Sequence, residues 1–540
     1  MEPDKNSPTL AGNDGTYTTT RSSLFECAEN AACTKIRRNL SELAENGAGA
    51  ITRRGFFELA GLAIASAALP LGEAIAVPRT SQAKSATSLS PVMEQLSTYM
   101  SEASGRTLPE EVIEKAKQHI LDTFAAMISG SDLPPGHAAL QFARTYGGKE
   151  ISTVVGSNLV CGPIEAALTN GTLAHSDETD DSHGPSHSHP GCAVIPAALA
   201  AGESLGISGA HFLRAVTLGY DVGPRFTIVL GGERFETESH WSTHSIATIF
   251  GAAAAAGCAA NMNPQQMRWL LGYTAQQCSG LTAWRRDTEH IQKAFVFGGM
   301  TARSGVTSAL LVQSGWTGVE DIFSGADNFF QAYDPEADPA GLIDKLGERY
   351  EITRTDIKKW TVGSPIQAVL DALVILQKRQ AFDAAQVQQV TVHLAPLEAV
   401  TVNNREMADI CVQHMVAVML LDKTVTFRSA HDQPRMKDPA ILKQRSKVQL
   451  APDESLVKFL PTRAAKVDIT LIDGTRLSEE VDAVRGTSKN PMTSEEVVAK
   501  ARDLITPALG SAKCSALIEQ VLHLESIKDV RELRPLLQKS

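Results

Sequence analysis

The sequence predicts a mainly α-helical protein in which a large all-helical domain is joined to a smaller α+β domain. Apolar residues recur at every third or fourth position from Val112 to Ile128, and this pattern stops at Gly130, as expected of a helix with one buried face. Alanine and glycine are plentiful in the helical segments that follow, which favours closely packed helices. Alternating apolar residues, which are typical of strands, appear only within 350–485, for example at 388–394.

The first 90 residues have the composition of a leader rather than of a folded domain. Residues 1–50 are rich in polar residues and alanine without sustained periodicity, which is typical of a disordered tail. Within 51–76, Arg53-Arg54 precedes a short, weakly apolar stretch and an Ala-x-Ala site. This pattern resembles a twin-arginine-type signal peptide. Residues 77–90 then form a linker.

This leader predicts export by the twin-arginine (Tat) machinery to the periplasm or the extracellular space. A cytoplasmic location is the alternative if the leader is not functional. The apolar stretch at 59–69 is too short to span a bilayer as an ordinary helix. We therefore expect no stable membrane association once the signal is cleaved.

Downstream of the leader, we assign residues 91–345 to the helical domain, 350–485 to the α+β domain and 490–540 to C-terminal helices that pack back on the helical domain. The net charge of −11 does not favour nucleic-acid binding, so any anionic ligand must be held by local cationic groups. The eight scattered cysteines include no Cys-x-x-Cys pair that would hold an iron–sulfur cluster, and no phosphate-binding glycine motif follows a strand. We predict no cofactor.

One stretch concentrates the ionisable residues. The segment from His175 to His189 contains four histidines and four carboxylates, and alanine-rich helical segments flank it on both sides. If 174–183 is helical, Glu178 and Ser182 share one face of that helix. Carboxylates beside imidazoles shift one another's pKa values toward the range that acid/base chemistry needs near neutral pH. We therefore expect an acid/base site at the mouth of the helical core.

Two other interpretations of this stretch remain open. A charge-rich loop can simply be solvated, as most charged residues are. Histidines and carboxylates are also good ligands for zinc, manganese or iron. Their spacing here matches no compact metal motif such as His-Glu-x-x-His, and we assign no metal ligands.

Several short motifs follow one another in a specific order and spacing across essentially the whole chain after the leader. They are Leu121-Asp122-Thr123, Asn170-Gly171, His189-Pro190-Gly191, Phe250-Gly251-Ala252, Lys293 before Gly298-Gly299, Gly315-Trp316-Thr317-Gly318, Lys359-Trp360, Leu370-Asp371-Ala372 and Arg485-Gly486. Together these motifs resemble those of the MmgE/PrpD family. The resemblance implies a large helical domain, a smaller α+β lid domain, a homodimer and an active site between the domains. It also implies an enzymatic activity similar to that of 2-methylcitrate dehydratase or cis-aconitate decarboxylase, which act on small polycarboxylates without an organic cofactor.

Site residues follow from the resemblance position by position. It implies catalytic roles for three residues of the first motif, namely Glu178, Ser182 and His189. It implies that Lys293 binds substrate, since a family lysine follows the second helical block. A second family lysine opens the lid segment and matches Lys359, with Lys358 as its neighbour.

The sequence offers more than one candidate for the catalytic base. A further family histidine aligns with Ser242 in a gapless comparison, while His240 and His244 lie two residues to either side. We assign the base to His244. Arg285 is a further candidate for substrate binding, because cations must hold the substrate's carboxylates and the charge that develops during the reaction.

These assignments predict a cofactor-independent lyase that dehydrates or hydrates a small hydroxy-polycarboxylate resembling 2-methylcitrate. Such a reaction needs a base to remove a proton next to a carboxylate and an acid to protonate the departing hydroxyl. One alternative is a decarboxylase, epimerase or hydrolase of a small dicarboxylate on the same fold. Another is an exported carboxylate-binding protein without turnover.

Three further residues receive structural interpretations from the sequence. Asp371 is expected to cap a helix or form an ion pair within the lid domain. His431 and Asp432 could form a pair that supports the site from behind or lie in a turn, and we favour the turn. His414 lies on an apolar helix and is expected to be a core histidine with its hydrogen bonds satisfied.

Overall fold

The computed structural model describes residues 89–460 and 462–539. The predicted tail, signal peptide and most of the linker occupy residues 1–88 and lie outside the described residues. Over the described part of the chain, the fold is mainly α-helical with one four-stranded sheet, which confirms the predicted fold class. Two large hydrophobic cores form, one among the helices and the other around the sheet, and a third, small cluster contains Ala395, Leu456 and Ala464.

The helical domain surrounds the first core. Its helices are α1 (Pro91–Glu102), α2 (Glu110–Gly130), α3 (Pro134–Tyr146), α4 (Pro163–Ala174), α5 (Gly191–Leu205), α6 (Gly209–Leu230), α7 (Glu233–Ser239), α8 (Thr243–Ala259), α9 (Pro264–Gln277), α10 (Ile291–Ala294), α11 (Met300–Gln313) and α12 (Phe329–Tyr333). A short hairpin of β1 (Ser152–Thr153) and β2 (Val160–Cys161) interrupts these helices. The sequence analysis did not predict this hairpin, because strands of two residues are too short to show alternation.

Helices α6 and α8 cross at the centre of the helical domain, where small residues allow close contact. A Cβ atom on Gly223 would lie 2.4 Å from the carbonyl oxygen of Ala247, and one on Gly219 would lie 2.7 Å from that of Gly251. Every residue of α8 is buried. This crossing therefore fixes the position of α8, whose first turn carries His244.

The lid domain surrounds the second core. Its elements are α13 (Ser364–Arg379), β3 (Val387–Leu394), α14 (Pro396–Val402), α15 (Val412–Asp422), α16 (Phe427–Ala430), α17 (Pro439–Arg445), β4 (Val448–Pro452), β5 (Ala465–Leu471) and β6 (Arg476–Val481). The strand order is β4-β3-β5-β6, with β3 parallel to β4 and antiparallel to β5. The predicted turn at Asp473-Gly474 joins β5 to β6, and Gly474 has a φ of 89°.

The C-terminal segment contacts the helical domain. Its helices are α18 (Ser494–Leu509), α19 (Ser511–Leu522) and α20 (Arg534–Leu537). Helix α18 packs along α2, and the amide of Gly156 donates a hydrogen bond of 2.8 Å to the carbonyl oxygen of Leu537. The end of the chain is thereby held against the helices that carry the site.

One helical stretch, Ile291–Gln313, is long and apolar enough to cross a membrane by composition alone. Of its most apolar window, 67% is buried inside the protein, as in the core helix of a folded domain. A π-helical turn, Phe295–Gly299, lies within the stretch. Turns of this kind often occur at functional sites, and this one begins two residues after Lys293.

Candidate active site

The acidic and histidine-rich segment is an irregular loop between α4 and α5, and not a helix over 174–183. Helix α4 ends at Ala174, because side chains compete with the helical hydrogen bonds beyond it. Asp177 accepts a hydrogen bond of 2.9 Å from the amide of Thr179, and Nδ1 of His175 lies 2.9 Å from Oδ2 of Asp180. We call residues 175–190 the site loop. Its polar side chains are mostly buried.

Glu178 is the centre of a buried charge cluster. Lys293 donates a hydrogen bond to its Oε1, and Nζ of Lys358 lies 3.7 Å from its Oε2. Lys358 also donates a hydrogen bond of 2.9 Å to the carbonyl oxygen of Glu178. Burial raises the pKa of Glu178, but the two lysines outweigh it and hold this pKa well below its usual range. Glu178 is therefore an ionised carboxylate.

Asp180 orients two histidines. Its Oδ2 faces His175, and its Oδ1 lies 3.3 Å from Nδ1 of His189. Burial opposes ionisation, but the two imidazoles lower the pKa of Asp180 below its ordinary value. Since Nδ1 of His189 faces Asp180, Nε2 is the ring nitrogen left to meet a ligand.

His244 presents a neutral imidazole to the same region. Its ring stacks on Phe297 with a centroid distance of 4.0 Å and lies 5.2 Å from the ring of His189. Burial lowers the pKa of His244 well below its usual range, and the neighbouring His187, His189 and Lys293 lower it further. A neutral imidazole at neutral pH can act as a general base.

A cleft of about 770 Å³, part of which is open to solvent, separates the helical and lid domains at this point. On the helical side it is lined by the site loop from Ser182 to His189 and by His244. On the lid side it is lined by segments within 356–367, 460–463 and 484–487. Small-molecule sites commonly form in clefts between domains.

The structure brings together five of the seven residues that the sequence analysis selected. Ser182, His189 and His244 line the cleft. Glu178 and Lys293 lie directly behind this wall, since Glu178 bonds to the cleft-lining Lys358.

The other two selected residues lie elsewhere. Nζ of Lys359 is 3.5 Å from Oδ1 of Asp371 and 4.4 Å above the ring of Trp360, so Lys358 takes the place expected for Lys359. The Arg285 side chain is 48% exposed and forms an ion pair of 2.6 Å with Glu236. Neither Lys359 nor Arg285 lines the cleft.

Three further histidines lie near the site, and the sequence analysis selected none of them as a catalytic residue, although His187 belongs to the histidine-rich stretch that it singled out. His290 is buried, with a ring nitrogen within 4.8 Å of ligand atoms of His175 and Glu178. His187 lines the cleft. His431, expected in a turn, places Nε2 2.9 Å from Oδ2 of Asp177. No local pattern could identify this last contact, because its partner is 254 residues away in the chain (431 − 177).

Of the residues expected to have structural roles, Asp371 agrees with its prediction and His414 does not. Asp371 accepts hydrogen bonds from the Trp360 indole and the amide of Arg485, at 3.0 and 2.8 Å, as expected of a residue that ties the lid domain together. His414 is buried as expected, but its two ring nitrogens have no hydrogen-bond partner among the described residues. It is therefore not a satisfied core histidine.

Three possible metal-ligand groups occur among the described residues, and the carboxylate of each lies beside one of the protein's own cations. His175, Glu178 and His290 form one group and His187, Glu236 and His244 another, each with ligand atoms within 4.8 Å. In the third group, of His175, Asp180 and Cys192, Nζ of Lys358 lies 3.8 Å from Oδ1 of Asp180. Lys293 bonds to the carboxylate of the first group and Arg285 to that of the second. Such cations repel a divalent ion and occupy its ligands. This donor chemistry does not favour a metal, and independence of metal stays a prediction.

Comparison with models of known domain families assigns this protein to a class. Residues 94–341 match the model of the MmgE/PrpD N-terminal domain, and residues 360–524 match the model of the MmgE/PrpD C-terminal domain. The chain belongs to the MmgE/PrpD family.

Curated relatives narrow the comparison further. The chain is 25% identical over 482 residues to the cis-aconitate decarboxylase-like protein oryM of Aspergillus oryzae, covering 83% of this chain and 97% of the relative. It is 26% identical over 452 residues to cis-aconitate decarboxylase of Homo sapiens, covering 80% and 91%. It is 23% identical over 487 residues to cis-aconitate decarboxylase of Aspergillus terreus, covering 85% and 98%. These similarities support an enzyme that processes small carboxylates.

Proposed function

We propose that the protein is a lyase that decarboxylates a small unsaturated polycarboxylate resembling cis-aconitate by acid/base catalysis. The observation that carries the proposal is the ionised Glu178 between Lys293 and Lys358, beside the two cleft-lining imidazoles of His189 and His244. Lysines suit the binding of carboxylates, and imidazoles suit proton transfer near neutral pH. The names of the curated relatives favour decarboxylation over other lyase reactions.

In this reaction Lys358 holds a substrate carboxylate at the cleft wall, and Glu178 fixes the position of Lys358. The bond between the departing carboxyl carbon and its neighbour breaks, and CO₂ leaves. The electron pair that stays behind shifts through the double bond to a carbon atom, which takes a proton from Nε2 of His189. Asp180 stabilises the protonated ring through Nδ1. His189 then regains a proton from water.

Dehydration or hydration of a hydroxy-polycarboxylate such as 2-methylcitrate is a second candidate, which the neighbouring pair of imidazoles favours. His244, which is neutral because it is buried, takes a proton from the carbon next to a carboxylate. The C–O bond then breaks, and the departing hydroxide leaves as water with a proton from His189. One ring thus acts as base and the other as acid.

The test is an assay of the purified, chelator-treated protein with cis-aconitate and, separately, with 2-methylcitrate. Mass spectrometry measures CO₂, and absorbance near 240 nm follows the double bond. We expect one CO₂ for each cis-aconitate consumed. Gain or loss of water without CO₂ would assign the protein to the hydro-lyases. Binding of these acids without turnover would refute an enzymatic role, and activity that returns only with a divalent ion would make the site a metal centre.

A further inference from the structure

The lid side of the cleft carries an arginine in an unusual backbone conformation. Arg463 lies shortly before β5 and lines the cleft. Its φ is 60°, in the left-handed region that residues other than glycine rarely adopt. Such conformations cost free energy and often occur at binding sites. The loop therefore holds Arg463 in place at the cleft at some cost in stability.

A buried carboxylate anchors one edge of the Arg463 side chain. Its Nη1 donates a hydrogen bond of 2.7 Å to Oε1 of Glu398, whose side chain is almost fully buried. No hydrogen bond of its other guanidinium nitrogens is found within the described residues, and the side chain is 32% exposed. Arginine carries five donors in a planar fork that matches a carboxylate. The anchored side chain therefore retains donors for a ligand in the cleft.

Two other side chains border the same end of the cleft. His187 lines the cleft, and its Nδ1 is buried without a hydrogen-bond partner among the described residues. Burial and the nearby Arg463 lower the pKa of His187 to about 3, so its ring is neutral and adds no positive charge. Glu233 also lines the cleft and contributes a negative charge. Arg485 also lines the cleft, but its guanidinium is paired with Glu496. Arg463 is thus a cation with free donors that an anionic ligand can meet in the cleft.

We infer that Arg463 binds a second carboxylate of the substrate, remote from the carboxylate held by Lys358. The two cations line the same cleft from different segments, within 356–367 and 460–463. A ligand that spans the cleft can therefore pair with both, whereas a monocarboxylate can use only one. This inference rests on the proposed function and names the residue that distinguishes its polycarboxylate substrate from a monocarboxylate.

The test compares variants in the binding of two unreactive probes, propane-1,2,3-tricarboxylate and the monocarboxylate butyrate, by titration calorimetry. Arg463→Met removes the guanidinium group. Arg476→Met is the matched control, because Arg476 is an exposed arginine on β6. We expect Arg463→Met to weaken tricarboxylate binding at least tenfold and to leave butyrate binding unchanged. Glu233→Gln should tighten tricarboxylate binding, since it removes a negative charge from the same end.

Two results would overturn the inference. One is equal tricarboxylate affinity in Arg463→Met and the unaltered protein. The other is an equal loss of tricarboxylate and butyrate binding, which would mean that Arg463 only maintains the shape of the cleft. If Arg463→Met does not fold, Arg463→Lys provides the comparison, with a smaller loss expected for the tricarboxylate alone. A failure of the proposed function can be told apart from these results. In that case the protein would turn over neither cis-aconitate nor 2-methylcitrate, but Arg463→Met would still bind the tricarboxylate more weakly than the unaltered protein does.

Discussion

Lys358 and Lys359 are neighbours in the chain, but their side chains lie in different surroundings. Lys358 is 4% exposed and bonds to Glu178 across the cleft wall. Lys359 pairs with Asp371 inside the lid domain and is partly exposed. The pair thus offers two substitutions of the same chemistry at adjacent positions, only one of which faces the site.

We predict that Lys358→Met lowers kcat/KM by a factor of at least 100, while Lys359→Met changes it less than threefold. Loss of Lys358 leaves the buried Glu178 with one cation fewer and removes a substrate contact, and lost electrostatic contacts of this kind cost roughly 2.7–4 kcal/mol in the transition state. Steady-state kinetics on the two variants measure the difference. A larger effect at Lys359 than at Lys358 would contradict the role assigned here to Lys358.

The sequence allowed most of this site to be selected, but not its exact partners. Glu178, His189, His244 and Lys293 could be chosen because chemistry and family resemblance pointed to the same residues. Lys358 was missed by one position, since a sequence does not show which of two adjacent lysines faces a buried carboxylate. Arg285 was selected for its charge, but the structure pairs it with Glu236.

At the scale of elements, the site loop is held by side chains from distant parts of the chain. Lys500 on α18 forms an ion pair of 2.6 Å with Asp122 on α2 and donates a hydrogen bond of 2.9 Å to the carbonyl oxygen of Thr179. The Lys500 side chain is 4% exposed. The C-terminal helix therefore braces the residue next to Glu178.

We predict that Lys500→Met loosens the site loop. Once the ammonium group of Lys500 is removed, Asp122 stays buried without its cation and the carbonyl of Thr179 loses its hydrogen bond. Breaking a buried ion pair of this kind costs about 3–5 kcal/mol. Hydrogen exchange should show faster exchange of peptides that cover 175–183, and kcat/KM should fall. Arg502→Met on the exposed face of α18 is the control. Unchanged exchange in Lys500→Met would show that the loop does not depend on the C-terminal helix.

A second contact links the site loop to the lid domain and depends on pH. His431 follows α16 and pairs with Asp177. Burial would lower the pKa of His431, but Asp177, through its hydrogen bond and charge, and Asp409, through its charge, raise this pKa to about 9. Since the folded-state pKa lies above the ordinary value of about 6.5, the stabilisation is complete below pH 6.5 and is lost as pH rises through 9.

We therefore predict that His431→Asn destabilises the protein in a pH-dependent manner. A pKa raised from about 6.5 to about 9 corresponds to roughly 3 kcal/mol of stability. The difference in Tm between the unaltered protein and the variant should be largest near pH 6 and should disappear above pH 9.5. His137→Asn, at an exposed histidine of α3, is expected to show no such trend. A Tm difference that does not vary with pH would rule out a charged His431.

For the molecule as a whole, periodicity predicted the fold class well, because long amphipathic helices and an alternating hairpin leave strong local signals. It could not place the site loop, where Asp177 and Asp180 bond to neighbouring side chains instead of continuing a helix. The domain boundaries, the homodimer and Tat-dependent export stay predictions. The segment that would direct export lies within residues 1–88, outside the described residues.

The whole-molecule arrangement predicts that a ligand in the cleft ties the helical and lid domains together. A ligand that binds only the folded state adds stability of about 2.7 kcal/mol at 100 times its Kd. Propane-1,2,3-tricarboxylate should therefore raise the Tm by a few degrees and slow hydrogen exchange on both walls, in peptides covering 182–189 and 484–487. Lys358→Met should lose both effects, and Lys359→Met should keep them. Protection confined to 182–189 would mean that the ligand binds the helical domain alone, because a ligand held by both domains must restrict opening of either wall.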